Sequence, residues 1–260
     1  QFKSLKKLTH KKKLKFISTP LDIESANFLA KNADVIKIAS GDHNFFPLID
    51  NVLKSKKTII ISTGMTNISQ IKDLIKYINN VIGKKSSENR IALLHCVTSY
   101  PVEDHFANLK SIEYLIKNSK LTIGYSDHTM GNEACIAAVT MGAKIIEKHF
   151  TLDKNFSNFR DHSLSADYID LKNLISGIRK VEKQLGKFNK EIQKPEKKLI
   201  KIIRRSAYAA KNVFPGEKIN LENTKFLRPA STSNFINLKK IIGKKINKFF
   251  YKDQKIKLNI

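Results

Sequence analysis

Residues 58–96 read TIIISTGMTNISQIKDLIKYINNVIGKKSSENRIALLHC. The stretch opens on an apolar β-rich run, 58–62, and closes on another, 91–96. Both are continuous rather than alternating, as strands buried on two faces should be. Between them Asn67 can cap a helix over 67–82 that sets Ile68, Ile71, Leu74, Ile75, Ile78, Val81 and Ile82 on one side. Strand, helix, strand at this spacing is one βα unit leading into the next, the building block of a parallel sheet with right-handed crossovers.

Working outward, the same unit recurs. Further strands are expected at 15–18, 35–39, 121–125 and 144–149. A helix is expected at 165–185, with Leu171, Leu174, Ile175, Ile178, Val181 and Leu185 inward and Gly186 as its stop. Chemistry-capable residues sit just after each strand: Ser18-Thr19-Pro20, Ser40-Gly41-Asp42, Ser62-Thr63-Gly64-Met65, His95 to Pro101, Ser126-Asp127-His128-Thr129 and Glu147-Lys148-His149. An open doubly wound sheet concentrates its ligand at one switch point, whereas a barrel builds its site from every C-terminal strand end. Polar tips on six successive units favour an α/β (β/α)8 TIM-type barrel. Only six strands are found, residues 1–13 are too short and basic for two more units, and the first residue is Gln. The expectation is therefore a barrel lacking about two N-terminal βα units over 1–186. A polar linker containing Pro195 follows at 187–197, and then a small mixed β domain over 198–260. That domain has β-like runs at 206–210, 218–220 and 254–258.

Composition narrows the function. The chain is 260 residues long, 41% hydrophobic, with 15 Phe and 7 Tyr, enough for a substantial core. No apolar run approaches the ~20 residues that cross a bilayer, and the start lacks a signal-peptide core. Two cysteines, Cys96 and Cys135, make no disulfide framework, so a reduced, cytoplasmic setting is expected. The net charge of +25 invites a nucleic-acid reading. Only six of the 48 basic residues are arginine, however, and the lysines are spread evenly rather than gathered with aromatics. Lysine-rich solvated faces, with a field that favours anionic small molecules, account for the charge without a specific nucleic acid.

Three groups of residues can carry chemistry. His128 and His149 end consecutive strands, so two imidazoles can meet over the barrel mouth and leave positions open on a divalent metal; Glu147, two residues before His149, shares its face. The alternative is ordinary polar residues at strand ends. Lys37, amid Val35-Ile36-Lys37-Ile38, is costly on a buried strand unless an anion partners it, and a chance lysine is the alternative. Hydroxyls of Thr19, Ser40, Ser62 and Ser126 at neighbouring strand ends can complete an anion cradle. His95, inside a strand, reads as structural. Cys96 has no His/Asn partner for nucleophilic work.

Taken in order, Thr19-Pro20, Lys37-Ile38-Ala39-Ser40-Gly41, Ser62-Thr63-Gly64-Met65, Leu94-His95-Cys96-Val97 with Tyr100-Pro101, Gly124 to Thr129 and Ile146 to Thr151 resemble the N-acetylneuraminate (sialic acid) synthases and their legionaminate and pseudaminate relatives. Arg204-Arg205-Ser206, Gly216-Glu217, Leu227-Arg228-Pro229 and Ile242-Gly243-Lys244 resemble that family's antifreeze-like (SAF) domain. The resemblance implies condensation of phosphoenolpyruvate with an N-acetylated hexosamine to a nonulosonic acid and phosphate. It implies manganese or magnesium on His128 and His149, and phosphoenolpyruvate on Lys37, Thr19, Ser40, Ser62 and Ser126. Tyr100, Glu147 and Asp161 would lie near the sugar, with Glu147, Asp42 and Tyr100 as catalytic candidates. Arg228 would reach a partner's site in a domain-swapped homodimer. There are departures: Asp42 stands where the family commonly has Glu, and Thr98 where some members have Asn. Asn158-Phe159-Arg160-Asp161-His162 looks closer to the legionaminate-type and spore-coat branches. Without the first strands, such a chain is alternatively an inactive remnant.

Overall fold

The computed structural model of the chain describes residues 1–157, 160–230 and 240–256. It divides into two compact units, 1–186 and 187–260.

The first unit runs α1 (Phe2–Lys11), β1 (Ile17–Ser18), α2 (Ile23–Asn32), β2 (Val35–Ile38), α3 (Phe46–Lys54), β3 (Thr58–Ser62), α4 (Ile68–Ile82), α5 (Lys84–Arg90), β4 (Ile91–Cys96), α6 (Lys110–Asn118), β5 (Thr122–Asp127), α7 (Glu133–Thr140), β6 (Ile146–Lys148), α8 (Arg160–Leu164) and α9 (Tyr168–Leu185). The six strands pair in sequence order and every pairing is parallel. Alternation along each strand divides their side chains between two layers. Ile36, Ile38, Ile59, Ile61, Ile91, Leu93, Ile123 and Tyr125 join the core beneath the helices. Ile60, Ala92 and Leu94, with Val35 and Ile145, form a smaller cluster on the other face.

That second face is concave. Lys37 on β2 and Glu147 on β6 lie four strand spacings apart, ~19 Å in a flat sheet. Their charged atoms nonetheless stand 3.4 Å apart. Only a sheet curled like the wall of a barrel brings them together, so the unit is part of an α/β barrel with six parallel strands. Gly124 is needed in its floor. A Cβ there would sit 2.6 Å from both the Ile145 carbonyl oxygen and Leu94 Cδ2.

The helices follow their caps. Asn67 and Asp167 each accept from a backbone N–H in the first turn, and Gln70 and Asp170 bond back. Residues 2–11 are helical: Phe2 packs edge-on against Phe16 and Phe28. Lys6 and His10 pair with Asp34. In α9, of the six residues expected inward, only Leu174 is buried, while Ile175 and Leu185 are about half exposed. The reason is that β6 is an end strand, so α9 packs largely on α7. Beyond β6, among the described residues, one parallel bridge, Phe150 with Ala166, continues the sheet.

In the second unit, α10 (Lys194–Ile203) begins within the stretch expected as linker. Gln193 and Glu196 form a capping box, and Pro195 occupies the first turn, where a proline starts a helix rather than breaking it. β7 (Ser206–Ala209) and β8 (Thr224–Leu227) form an antiparallel pair. Among the described residues the expected run at 218–220 contributes a bridge from Lys218 to Lys245 rather than a strand. Of the run at 254–258, Lys255 bridges to Tyr208, and residues 257 and 258 lie outside those described. Ala207, Ala209, Val213, Ile219, Ile241, Ile246, Phe250 and Ile256 make this unit's own core.

Candidate active site

Above the apolar floor of the concave face lies a polar layer. Lys37 Nζ donates to Ser62 Oγ at 2.7 Å. Ser126 Oγ donates to Glu147 Oε1, also at 2.7 Å, across the Ser126–Glu147 register of β5 and β6. The same Glu147 oxygen faces the Lys37 ammonium. Lys37 and Ser126 are buried, whereas the Glu147 side chain is 41% exposed. One ammonium, two hydroxyls and a carboxylate thus converge from β2, β3, β5 and β6. An anion with oxygens to place finds a cation and hydroxyl donors here, beside a carboxylate able to orient a water.

Ser40 belongs to the same rim. It lies in the turn after β2 and accepts from the Gly64 N–H at 3.0 Å. A Cβ on Gly64 would stand 2.2 Å from Thr98 Oγ1 and 2.8 Å from Ser40 Oγ, so only glycine lets the β2, β3 and β4 loops close this tightly.

The two imidazoles rise over this layer. The His128 and His149 ring centroids are 5.3 Å apart. Tyr100 joins them, its ring 4.1 Å from His128 and 5.7 Å from His149. His128 Nδ1 lies 2.8 Å from the Val97 carbonyl oxygen. A carbonyl only accepts, so the proton is on Nδ1 and the Nε2 lone pair is free for a ligand. Burial holds His128 below its ordinary pKa and therefore neutral, the form that binds a cation. Among the described residues no three His, Cys, Asp or Glu side chains gather as metal ligands. The imidazole pair fits a divalent cation that keeps its other positions for water or substrate oxygens.

The remaining sequence candidates are less engaged. Thr19 is half-buried one residue beyond β1, and Asp42 is half-buried in the turn after β2. Among the described residues no hydrogen bond or ion pair links either to Lys37, Ser62, Ser126 or Glu147. Asp161 lies in α8, its carbonyl accepting from Ser165 Oγ. Asn158 and Phe159 lie outside the described residues. Arg228 is exposed just after β8 in the second unit. His95 points to the helix side, with Nε2 2.9 Å from the Ala107 carbonyl and its ring against Tyr125. Burial raises the Cys96 thiol pKa, so it stays protonated.

Sequence reading missed a cluster behind the site. Lys148 Nζ meets Asp127 Oδ2 at 2.6 Å, with side chains 4% and 0% exposed. The signal was present: Asp precedes His128 and Lys precedes His149, opposite charges at the same offset on adjacent strands.

Comparison with known proteins agrees with this architecture. Residues 1–190 match the model of the NeuB family, and residues 204–259 that of the SAF domain. An uncharacterized protein of Methanocaldococcus jannaschii is 40% identical over 247 residues, spanning 95% of this chain and 72% of that protein. An N,N'-diacetyllegionaminic acid synthase of Campylobacter jejuni is 38% identical over 254 residues, spanning 96% and 75%. Among solved structures, the N-acetylneuraminic acid (sialic acid) synthetase of Leptospira borgpetersenii, in complex with citrate, superposes with a TM-score of 0.69. It is 35% identical, over 76% of this chain and 68% of that one.

Proposed function

The chain belongs to the NeuB family, with a SAF domain following in sequence, and from that premise we propose that it condenses phosphoenolpyruvate with an N-acetylated hexosamine. The acceptor is N-acetylmannosamine or a 2,4-diacetamido relative; the products are a nonulosonic acid and inorganic phosphate. The observation that carries the reading is the convergence of Lys37, Ser62, Ser126 and Glu147 beneath the His128–His149 pair.

In this mechanism Lys37 neutralises the anionic enol phosphate while Ser40, Ser62, Ser126 and Thr19 hold its oxygens, leaving carbon 3 facing the sugar aldehyde. His128 and His149 would hold a manganese or magnesium ion, which supplies Lewis-acid polarisation of that aldehyde. Carbon 3 forms the new carbon–carbon bond, water adds at carbon 2, and the carbon–oxygen bond breaks to release phosphate. Glu147, bonded by Ser126 and open on its other side, orients that water and takes its proton. Tyr100, against both imidazoles, shapes the sugar side, with Asp42 and Asp161 on the adjoining loops. Arg228 is assigned to the site of a partner subunit in a swapped homodimer. The enzyme is read as cytoplasmic; no helix among the described residues is long and apolar enough to cross a membrane.

A second reading, in which the chain binds phosphoenolpyruvate without turnover, is favoured by the short end strand β1, where Ile17 is about half exposed. Incubation with Mn2+, phosphoenolpyruvate and each amino sugar separates the two, with phosphate and 2-keto sugar acid both quantified. Condensation predicts equal amounts of both, only when both substrates are present. Binding in calorimetry without either product establishes the second reading. Failure to bind phosphoenolpyruvate overturns both.

A further inference from the structure

The geometry points to Asp127 and Lys148 as positioning residues that fix the separation of the two imidazoles from behind the sheet. This inference rests on the reading of His128 and His149 as holders of a divalent cation. The two residues are register partners on β5 and β6, and each immediately precedes one of the histidines. Strand alternation sends them to the helix side while the imidazoles go to the concave side. The ion pair therefore ties together the two backbone segments that carry the rings.

The pair is built beyond what an ion pair alone needs. Asp127 Oδ1 accepts from Tyr125 OH at 3.0 Å, from the Thr129 N–H at 2.9 Å and from Thr129 Oγ1 at 2.8 Å. Its Oδ2 accepts from Lys148 Nζ at 2.6 Å and Cys135 Sγ at 3.1 Å. Lys148 Nζ also donates to the Thr129 carbonyl at 3.0 Å. His128 is thus bracketed, with Asp127 before it and Thr129 after it both held by Lys148.

His149 has particular need of such an anchor. Its strand is three residues long and ends the sheet, paired on one side by β5 and continued on the other by one bridge. A buried ion pair contributes little net stability against a well-packed apolar replacement, because two desolvated charges offset their own attraction. A gain in geometry is what such a pair can supply. Groups behind metal-binding side chains commonly set affinity by 10- to 100-fold when removed.

The test replaces both members together, Asp127→Asn with Lys148→Met, so that no buried charge is left alone. Mn2+ binding to the unmodified chain and to the variant is measured by titration calorimetry, beside metal-free thermal unfolding. The expected result is a melting temperature close to the parent's and Mn2+ affinity weaker by roughly 10- to 100-fold. Affinity within twofold of the parent's overturns the positioning role. Absence of Mn2+ binding by the parent overturns the cation reading itself, a separate outcome. If the double variant fails to fold, Asp127→Asn with Lys148→Gln carries the test: two amides can still hydrogen-bond across the strands, with no buried charge left unpaired. A several-fold loss of Mn2+ affinity supports the clamp, and parental affinity refutes it.

Discussion

Replacing Lys37 by methionine removes one cation from the concave face while keeping most of the side chain's length and its apolar stem. The ammonium donates to Ser62 at 2.7 Å and faces Glu147 at 3.4 Å, with the lysine side chain 10% exposed. Truncating one member of a buried, hydrogen-bonded charge pair costs about 2–5 kcal/mol in binding. Here the lower half of that range applies, because the site opens toward solvent on the Glu147 side, where exposure reaches 41%. A loss of about 2–3 kcal/mol corresponds to roughly 30- to 150-fold weaker binding of phosphoenolpyruvate. Titration calorimetry at low ionic strength, without acceptor sugar, reads this directly. The fold should tolerate the change, since the new thioether would sit on a strand between Ile36 and Ile38 above Ile60, and thermal unfolding should show no loss. Binding within threefold of the parent's would refute the assignment of Lys37 as the phosphate's cation.

Two further outcomes follow from packing and charge. Gly124→Ala puts a methyl 2.6 Å from the Ile145 carbonyl oxygen, a backbone atom that cannot move without disturbing the seam of β5 with β6. Overpacking of this kind costs about 1–3 kcal/mol, which for a unit of this size lowers the melting temperature by roughly 2–12 °C; a change under 1 °C would contradict the packed floor. Asp34 is partly desolvated, yet the Phe16 N–H, His10 and Lys6 hold its carboxyl well below the usual range. A depressed carboxyl stabilises the fold above its unfolded pKa of about 3.9 and loses that contribution as pH falls further. The melting-temperature gap between the parent and Asp34→Asn should therefore be full at neutral pH and shrink below about pH 4; a gap that stays constant to pH 3 would rule out ionised Asp34 as the tether of α1.

Much of this is legible in the sequence because buried parallel strands leave a coarse signature. The runs at 58–62 and 91–96 coincide with β3 and β4, and the Asn67 cap starts α4. Polar tips after each strand locate the rim, and the period-2 rule places Glu147 beside His149. The misses have physical reasons. Residues 2–11 carry so many charges that the Phe2, Leu5, Leu8 spacing is masked, yet that spacing is helical and Phe2 finds two aromatic partners. The expected inward face of α9 needs sheet along the helix's whole length, whereas β6 ends the sheet beside it.

Lys148 is hard to read because its neighbours Glu147 and His149 both belong to the concave face. The same alternation that sends those two inward must send Lys148 outward, into the helix-packed layer, where an ammonium requires a buried anion. Asp127 is the residue that register delivers. A strand written as chemistry, charge, chemistry therefore furnishes both faces of the sheet, and the buried layer is read by asking where the intervening charge finds its partner.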